Sequence, residues 1–382
     1  MVEYRQLHHA DELNEAVRLA DRVFRDREQT SMGQAFPYIF RPDFGQSFGA
    51  FEEDKLVSFI GLVPWFVNIG GARLKVYAIG AVCTDPAYRG KGYAGTMLDL
   101  IKDHIRQAGA SLLLISGDRS LYTRNHCYHF GSFNRYTFLP ENAEAIAARS
   151  ASEGYTVREF ASYDWYTLHA LAESRTVRYE QSLTDLAQLT HSQAVASNCK
   201  LEHRTLIAEK DGKPVAFAAL AVPGRYETTA APQVTEWAGD AQAAAAIFAD
   251  AVKRYALEKL EVTVSWHEAE LQQALPDTPF QARQNGGTVF VSDAQTLLEQ
   301  AAPYWNGAVN AQRGDLRVMK GEDGQYTLHI GRDAIVLTPQ ELVSVLFDST
   351  PNLAVQPPAE VQERLAALFP IPFPYTEGLN FV

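Results

Sequence analysis

The stretch that most constrains this chain runs from Leu74 to Ile105. Leu74 to Cys83 is apolar and strand-like. Met97, Leu98, Leu100, Ile101 and Ile105 follow at helical spacing. Between them lies Asp85-Pro86-Ala87-Tyr88-Arg89-Gly90-Lys91-Gly92-Tyr93-Ala94, a short basic turn. A turn of this kind aims several backbone N–H groups in one direction. The positive end of the following helix adds to them, and the sum is an anion site. Gly90 and Gly92 permit close backbone approach to a phosphate, while Arg89 and Lys91 add formal charge. No Gly-Lys-Ser/Thr follows, so this is no Walker loop. The three-glycine spacing of a dinucleotide fingerprint is also absent.

Length and composition narrow the rest. At 382 residues the chain exceeds one typical core, and two or three domains are expected. Its apolar and charged fractions are those of an ordinary globular protein, with no run long enough for a membrane span and no signal-peptide layout at Met1–Arg5. Cys83, Cys127 and Cys199 are too few and too scattered for a disulfide framework or a metal knuckle, and a cytoplasmic location follows. The formal net charge of −12 disfavours nucleic acid and favours cationic substrates such as amines.

The spacing Arg89-x-x-Gly92-x-Ala94 resembles the acyl-CoA signature of the GNAT superfamily of N-acetyltransferases. The order of elements agrees. A helix over Asp11–Phe24 is followed by a helical aromatic cluster at Phe36–Phe40. Hairpins at Phe48–Val63 and Pro64–Ala78 lead into the signature strand. A helix, the strand Ser111–Ser116, a short helix and a strand at Phe133–Leu139 complete the module. The resemblance implies acetyl-CoA as co-substrate and no metal. It implies that Val82, Cys83 and Thr84 offer a free strand edge to the pantetheine arm, beside the turn Arg89–Ala94. Ser120-Leu121-Tyr122-Thr123-Arg124 matches the superfamily segment whose tyrosine acts as general acid, although Cys127 stands where many relatives have glycine. Tyr122 is then the acid and the Val82 amide the oxyanion donor. His126 and His129 lack further ligands for a metal and are read as surface or packing residues, as is His104. Cys83 lacks a visible base and is no nucleophile.

A second module echoes the first. Lys213-Pro214-Val215-Ala216-Phe217 parallels Lys55-Leu56-Val57-Ser58-Phe59, and strand, helix, strand recur over Val234–Trp266. Its turn is only Ala238-Gly239-Asp240, and a carboxylate at a helix N-terminus repels phosphate, so no CoA is expected there. The third stretch resembles the sterol-carrier-like domain of the enhanced-intracellular-survival branch. The resulting fold class is α/β with mixed sheets: tandem GNAT acyl-CoA N-acyltransferase folds and a sterol-carrier-like α+β domain. The boundaries are 1–140, 141–285 and 286–382. An aromatic, proline-stiffened tail, Phe369–Val382, should dock in a groove. The branch implies a homo-oligomer and a terminal carboxylate at the active site, here that of Val382.

The reaction implied is acetyl transfer to a primary amine. An alkyl ammonium with a pKa of ~10.4 is neutral in roughly 1 of 2,500 molecules at pH 7, so a base is needed. The candidates are Val382, Asp118 and a water chain. Phe36, Tyr38, Trp65, Phe66 and Asp118 are the expected acceptor residues, and cation–π contact would suit a small polycation of aminoglycoside or polyamine type. The alternatives are a lysine or N-terminal peptide acceptor, and a non-catalytic acyl-CoA sensor. No nucleic-acid or membrane partner is expected.

Overall fold

In the computed structural model, residues 1–305 and 316–382 are described, and they build three sheets. The first runs β1 (Val2–Gln6), β2 (Phe48–Glu52), β3 (Lys55–Ile69), β4 (Ala72–Thr84), β5 (Leu112–Ile115) and β14 (Thr288–Val291), with β8 (Val177–Tyr179) on the far end of β3. All neighbours are antiparallel except β4 and β5. Side chains alternate across β3. Phe59, Val63, Trp65 and Val67 face one core, with Leu13, Ala16, Leu19 and Ala20 of helix α1 (Ala10–Phe24). Val57, Ile60 and Leu62 face another, with Met97, Leu98, Ile101 and Ile105 of α3 (Tyr93–Gln107). The sheet is therefore covered on both faces, which explains why β3 reads as a nearly continuous apolar run.

Local signals predicted most elements well. The aromatic cluster is a difference: Phe36–Phe40 is turn, and the helix is α2 (Met32–Ala35), capped by Ser31. Pro37 explains this, since the residue before a proline is pushed out of helical geometry. β1 carries no strong alternation and was not expected. The two expected hairpins share one strand, because Pro64 lies within an unbroken β3.

The second sheet runs β13 (Phe280–Arg283), β6 (Phe133–Phe138), β12 (Leu260–Ser265), β11 (Gln233–Gly239), β10 (Lys213–Val222), β9 (Glu202–Lys210) and β7 (Tyr155–Glu159). The helix Ala241–Arg254 is buried almost all round. Its alanines admit close neighbours on several sides. Asp240 caps it, accepting from the Ala243 amide at 2.8 Å. The third sheet is a meander, β15 (Leu316–Lys320), β16 (Tyr326–Ile330) and β17 (Asp333–Leu337). The helix Pro339–Phe347 follows, started by the expected Thr338/Glu341 capping box.

The sheets do not divide along the expected boundaries. β6, read as the close of the first module, pairs with β12 of the second sheet. β14, read as part of the third, pairs with β5 of the first. The second sheet thus takes β6 from the first stretch, and the first sheet takes β8 from the second stretch and β14 from the third. Strand–strand choice of this kind is set by distant partners, and no local periodicity encodes it.

The tail is held along its length. Phe373 meets Phe130 and Phe347 edge-on at 5.5 and 5.9 Å between ring centroids. The Ile371 amide donates to the Leu346 carbonyl at 2.7 Å. Buried Asn285 donates to the Pro374 carbonyl at 3.2 Å and accepts from the Thr376 amide and hydroxyl. Phe369, Ile371, Phe373, Leu379 and Val382 are all buried. At about 1.5–3 kcal/mol for each large side chain buried, the segment is bound firmly rather than laid on the surface.

Candidate active site

β4 and β5 are paired only over Val76–Ile79 and Leu112–Ile115. Beyond Ile79 they diverge, and among the described residues no strand completes that edge of β4 from Gly80 to Thr84. On the opposite edge the register with β3 shifts between Phe59 and Gly61, leaving Ala81 and Val82 across from Ile60. Ala81 adopts φ 51°, a left-handed conformation rare for a residue with a side chain. A β-bulge at a sheet opening re-aims the backbone and is common beside active sites.

The turn after β4 is open. Asp85 caps a short 3-10 turn at Pro86–Tyr88 by accepting from the Ala87 amide. Gly90 and Gly92 have φ 79° and 82°, and Gly92 starts α3. A Cβ built on Gly90, Gly92 or Gly95 meets nothing within 4 Å. Gly90 and Gly92 are therefore needed for backbone conformation, and they leave the helix N-terminus uncrowded. Lys91 is partly neutralised by Glu52 at 3.1 Å, whereas Arg89 forms no ion pair among the described residues. The Tyr93 side chain turns inward and donates to Glu52.

A cavity of about 340 Å³ lies at the unpaired edge of β4. Val82, Tyr122, Phe36 and Val382 all line it, with Gly80, Ala81, Phe24, Arg25, Met32, Arg119 and Phe381. Tyr122 lies on the short helix α4 (Ser120–Thr123) and is buried. Desolvation pushes its hydroxyl up to about 12, with nearby Arg119 opposing. The phenol therefore keeps its proton at neutral pH.

The chain ends at this cavity. Asn380, Phe381 and Val382 sit against Ala78, Ile79, Leu114 and Ile115, at the last paired rungs of β4 and β5. A Cβ built on Gly80 would lie 2.3 Å from the carboxyl carbon of Val382. Gly80 pairs across the ladder with Gly61, where a Cβ would lie 2.3 Å from Ile39 Cγ2. Two facing glycines therefore make a notch that admits Ile39 and the terminal carboxylate.

The other expected acceptor residues stand elsewhere. Tyr38 is buried and donates to Asp185 at 2.5 Å, its ring 5.0 Å from Trp65. Trp65 in turn packs on Tyr179. These are core aromatics, consistent with the ordinary preference of large rings for burial. Phe66 is partly exposed beneath the Arg73 guanidinium, 3.6 Å away. Asp118 is exposed and does not line the cavity. Cys83 and Cys127 are buried, and desolvation pushes both thiols up to about 12, which removes them as nucleophiles. His129 bonds the Gly287 carbonyl, His126 the Tyr128 hydroxyl and His104 the Gln46 side chain. Among the described residues no group of three His, Cys, Asp or Glu could hold a metal, and no helix is long and apolar enough to cross a membrane.

Sequence reasoning missed Gly80 and Gly61, whose only signal is glycine inside an apolar strand. It also missed Arg25 and Asn285, whose roles depend on distant chain.

The second sheet has a similar opening. β11 and β12 pair only at Gln233–Val234 with Glu261–Val262. The tail occupies this opening. Pro374 and Tyr375 adjoin Thr235–Ala238, and a Cβ built on Gly378 would lie 3.1 Å from Glu236 Oε2. Arg175 bridges Glu236 and Glu268 behind it.

A family model of the acetyltransferase (GNAT) domain matches residues 3–128. No curated protein matches the chain. Among solved structures, a GCN5-related N-acetyltransferase from Kribbella flavida aligns at 13% identity over 98% of both chains, with a TM-score of 0.64. One from Anabaena variabilis aligns at 12% over 98% of both, also at 0.64. Eis1 from Mycobacterium abscessus aligns at 12% over 90% of this chain and 89% of its own, at 0.60. At such identities the likeness is one of fold. Residues 3–128 thus resemble an acetyltransferase (GNAT) domain, in a chain that shares the overall fold of these solved structures.

Proposed function

We propose that the protein transfers an acetyl group from acetyl-CoA to a primary amine of a small molecule. The observation that carries this reading is the meeting of Val82, Tyr122 and Val382 at one cavity on the unpaired edge of β4. The free β4 edge and the uncrowded glycines fit a phosphopantetheine ligand. Acetyl-CoA supplies an activated acyl group as a thioester. The Val382 carboxylate takes a proton from the incoming ammonium, leaving a nucleophilic amine. The Val82 amide donates a hydrogen bond where negative charge develops on the acyl oxygen. The amine attacks the acyl carbon, and the C–S bond breaks as the C–N bond is completed. The Tyr122 hydroxyl gives its proton to the departing sulfur. The second proton lost from the amide nitrogen restores the phenol, and the proton on Val382 passes to solvent.

A phenol near 12 is a weak acid toward a thiolate of ordinary pKa ~8.5. The transfer is uphill in water and becomes feasible only as charge builds in the same desolvated space. Tyr122→Phe should therefore lower kcat by about 10- to 100-fold rather than abolish turnover. The acid form is lost only as pH rises through about 12. Steady-state rates between pH 6 and 10 should show no descending alkaline limb that vanishes in Tyr122→Phe, and an unchanged kcat in Tyr122→Phe would remove the acid assignment.

The second sheet serves as a GNAT-like module without CoA, its opening taken by the tail, and the third stretch as a sterol-carrier-like unit. The test of the whole reading is thiol release from acetyl-CoA with polyamines, aminoglycosides, amino acids and lysine peptides in parallel. Release with one amine class supports the transferase. Saturable acetyl-CoA binding without release from any amine would instead favour an acyl-CoA sensor.

A further inference from the structure

The acidity of the chain as a whole points to a cationic acceptor, but the charges at the cavity differ. Its lining includes two arginines, Arg25 and Arg119, and no Asp or Glu side chain; its one anion is the Val382 carboxylate. Arg25 is half-buried and forms no ion pair among the described residues. Its Nη atoms reach only the Ser197 carbonyl and hydroxyl, at 3.4 and 3.1 Å. Its Nε is buried without a hydrogen-bond partner.

The carboxylates nearest Arg25 are already engaged. Asp21 accepts from the Ser31 hydroxyl at 2.8 Å and the Met32 amide at 2.6 Å. Asp26 pairs with Lys200 at 2.5 Å. Burial weakens the hold of Arg25 on its proton, and the nearby charges of Asp21 and Asp26 offset this only in part. A desolvated guanidinium with spare donors is costly unless an anion completes it.

The expected cation–π platform is also occupied. The Arg25 guanidinium lies 5.6 Å from the Phe36 ring centroid, and Phe381 packs against the same ring at 6.0 Å. A substrate ammonium would enter beside a fixed like charge. At about 340 Å³ the cavity is near the lower end of ligand sites, and an acyl group must share it.

Building on the acetyltransferase reading, we infer that the acceptor is a small zwitterion. Its primary amine meets the Val382 carboxylate, and a carboxylate or phosphate on the same molecule pairs with Arg25. Two opposite charges at one cavity select a molecule carrying both, in the matching order. A polyamine satisfies the first contact and is repelled by the second.

Matched pairs test this by calorimetry on the intact protein with CoA present: L-ornithine against putrescine, and O-phosphoethanolamine against ethanolamine. At least one anionic member should bind about tenfold or more tightly than its partner. The pair that shows the preference identifies carboxylate or phosphate as the anion. Arg25→Gln should erase that preference without changing acetyl-CoA affinity, and Arg25→Lys should keep part of it. Equal or tighter binding of putrescine and ethanolamine overturns the inference, as does the absence of binding by either anionic compound. An equal loss for both members in Arg25→Gln overturns it too. The wild-type comparison decides the matter even if a variant does not fold. Thiol release measured with acetyl-CoA in place of CoA and the same four amines separates the two readings. Anion-dependent binding without release leaves the zwitterion site standing and removes the transferase. Release with putrescine alone does the reverse.

Discussion

Gly80→Ala should lower kcat/KM by about a hundredfold or more while the protein stays folded. The added methyl would lie 2.3 Å from the carboxyl carbon of Val382 and 2.8 Å from its oxygen, distances that no real contact allows. Ile39 Cδ1, at 3.0 Å, closes another side. Gly80 is absent from the left-handed residues, so alanine brings no backbone strain of its own. What must move is the end of the tail. The base would be displaced, and a base misplaced by about an ångström loses most of its effect. Two readouts go with turnover. Carboxypeptidase should release Val382 and Phe381 faster from the variant, and the thermal midpoint should fall by only a few degrees. Gly61→Ala crowds Ile39 and the Gly80 carbonyl instead, and serves as the control for general crowding. Unchanged turnover in Gly80→Ala would remove the terminal carboxylate from the mechanism.

Gly92→Asp should weaken acetyl-CoA binding by about a hundredfold, some 2.7 kcal/mol. Nothing in the protein lies within 4 Å of the new Cβ, so the change presses on a ligand and not on the fold. The residue sits at φ 82°, which costs about 1 kcal/mol for a side-chain-bearing residue. The carboxylate also opposes phosphate at the start of α3. Gly92→Ala carries the conformational cost without the charge and should show a clearly smaller defect. Equilibrium binding of acetyl-CoA checks both. Wild-type affinity in Gly92→Asp would mean that the turn is not the phosphate site.

The turn at Arg89–Ala94 was legible because its information is local: glycines for left-handed backbone, a strand before and a helix after. Most helices were legible for the same reason, through spacing and caps such as Asp240 and Thr338. Tyr122 and Val382 were reached only through resemblance, and the structure sets them at one cavity. The aromatic acceptor residues were misread because an aromatic cluster looks alike whether it lines a site or fills a core. Tyr38 and Trp65 fill the core, and Phe36 alone reaches the cavity. The Gly61–Gly80 notch and the unpaired Arg25 could not be read, since each is defined by residues far away in sequence. The exchange of β6 and β14 was hidden for that reason as well.

That exchange has a consequence for biosynthesis. β5 is complete at Ile115, but its outer neighbour begins only at Thr288. At about 5–20 residues per second, a ribosome needs roughly ten to thirty seconds to supply it. Through that interval the first stretch of chain has emerged with one strand edge bare, and a bare edge is a template for pairing with another nascent chain. β6, already made, must wait in turn for Leu260–Ser265. Neither sheet can close before the other has been largely translated, so the chain must fold late and as a whole. Shielding of the β5 edge on the ribosome should then govern its yield in a cell more than the stability of the finished protein does.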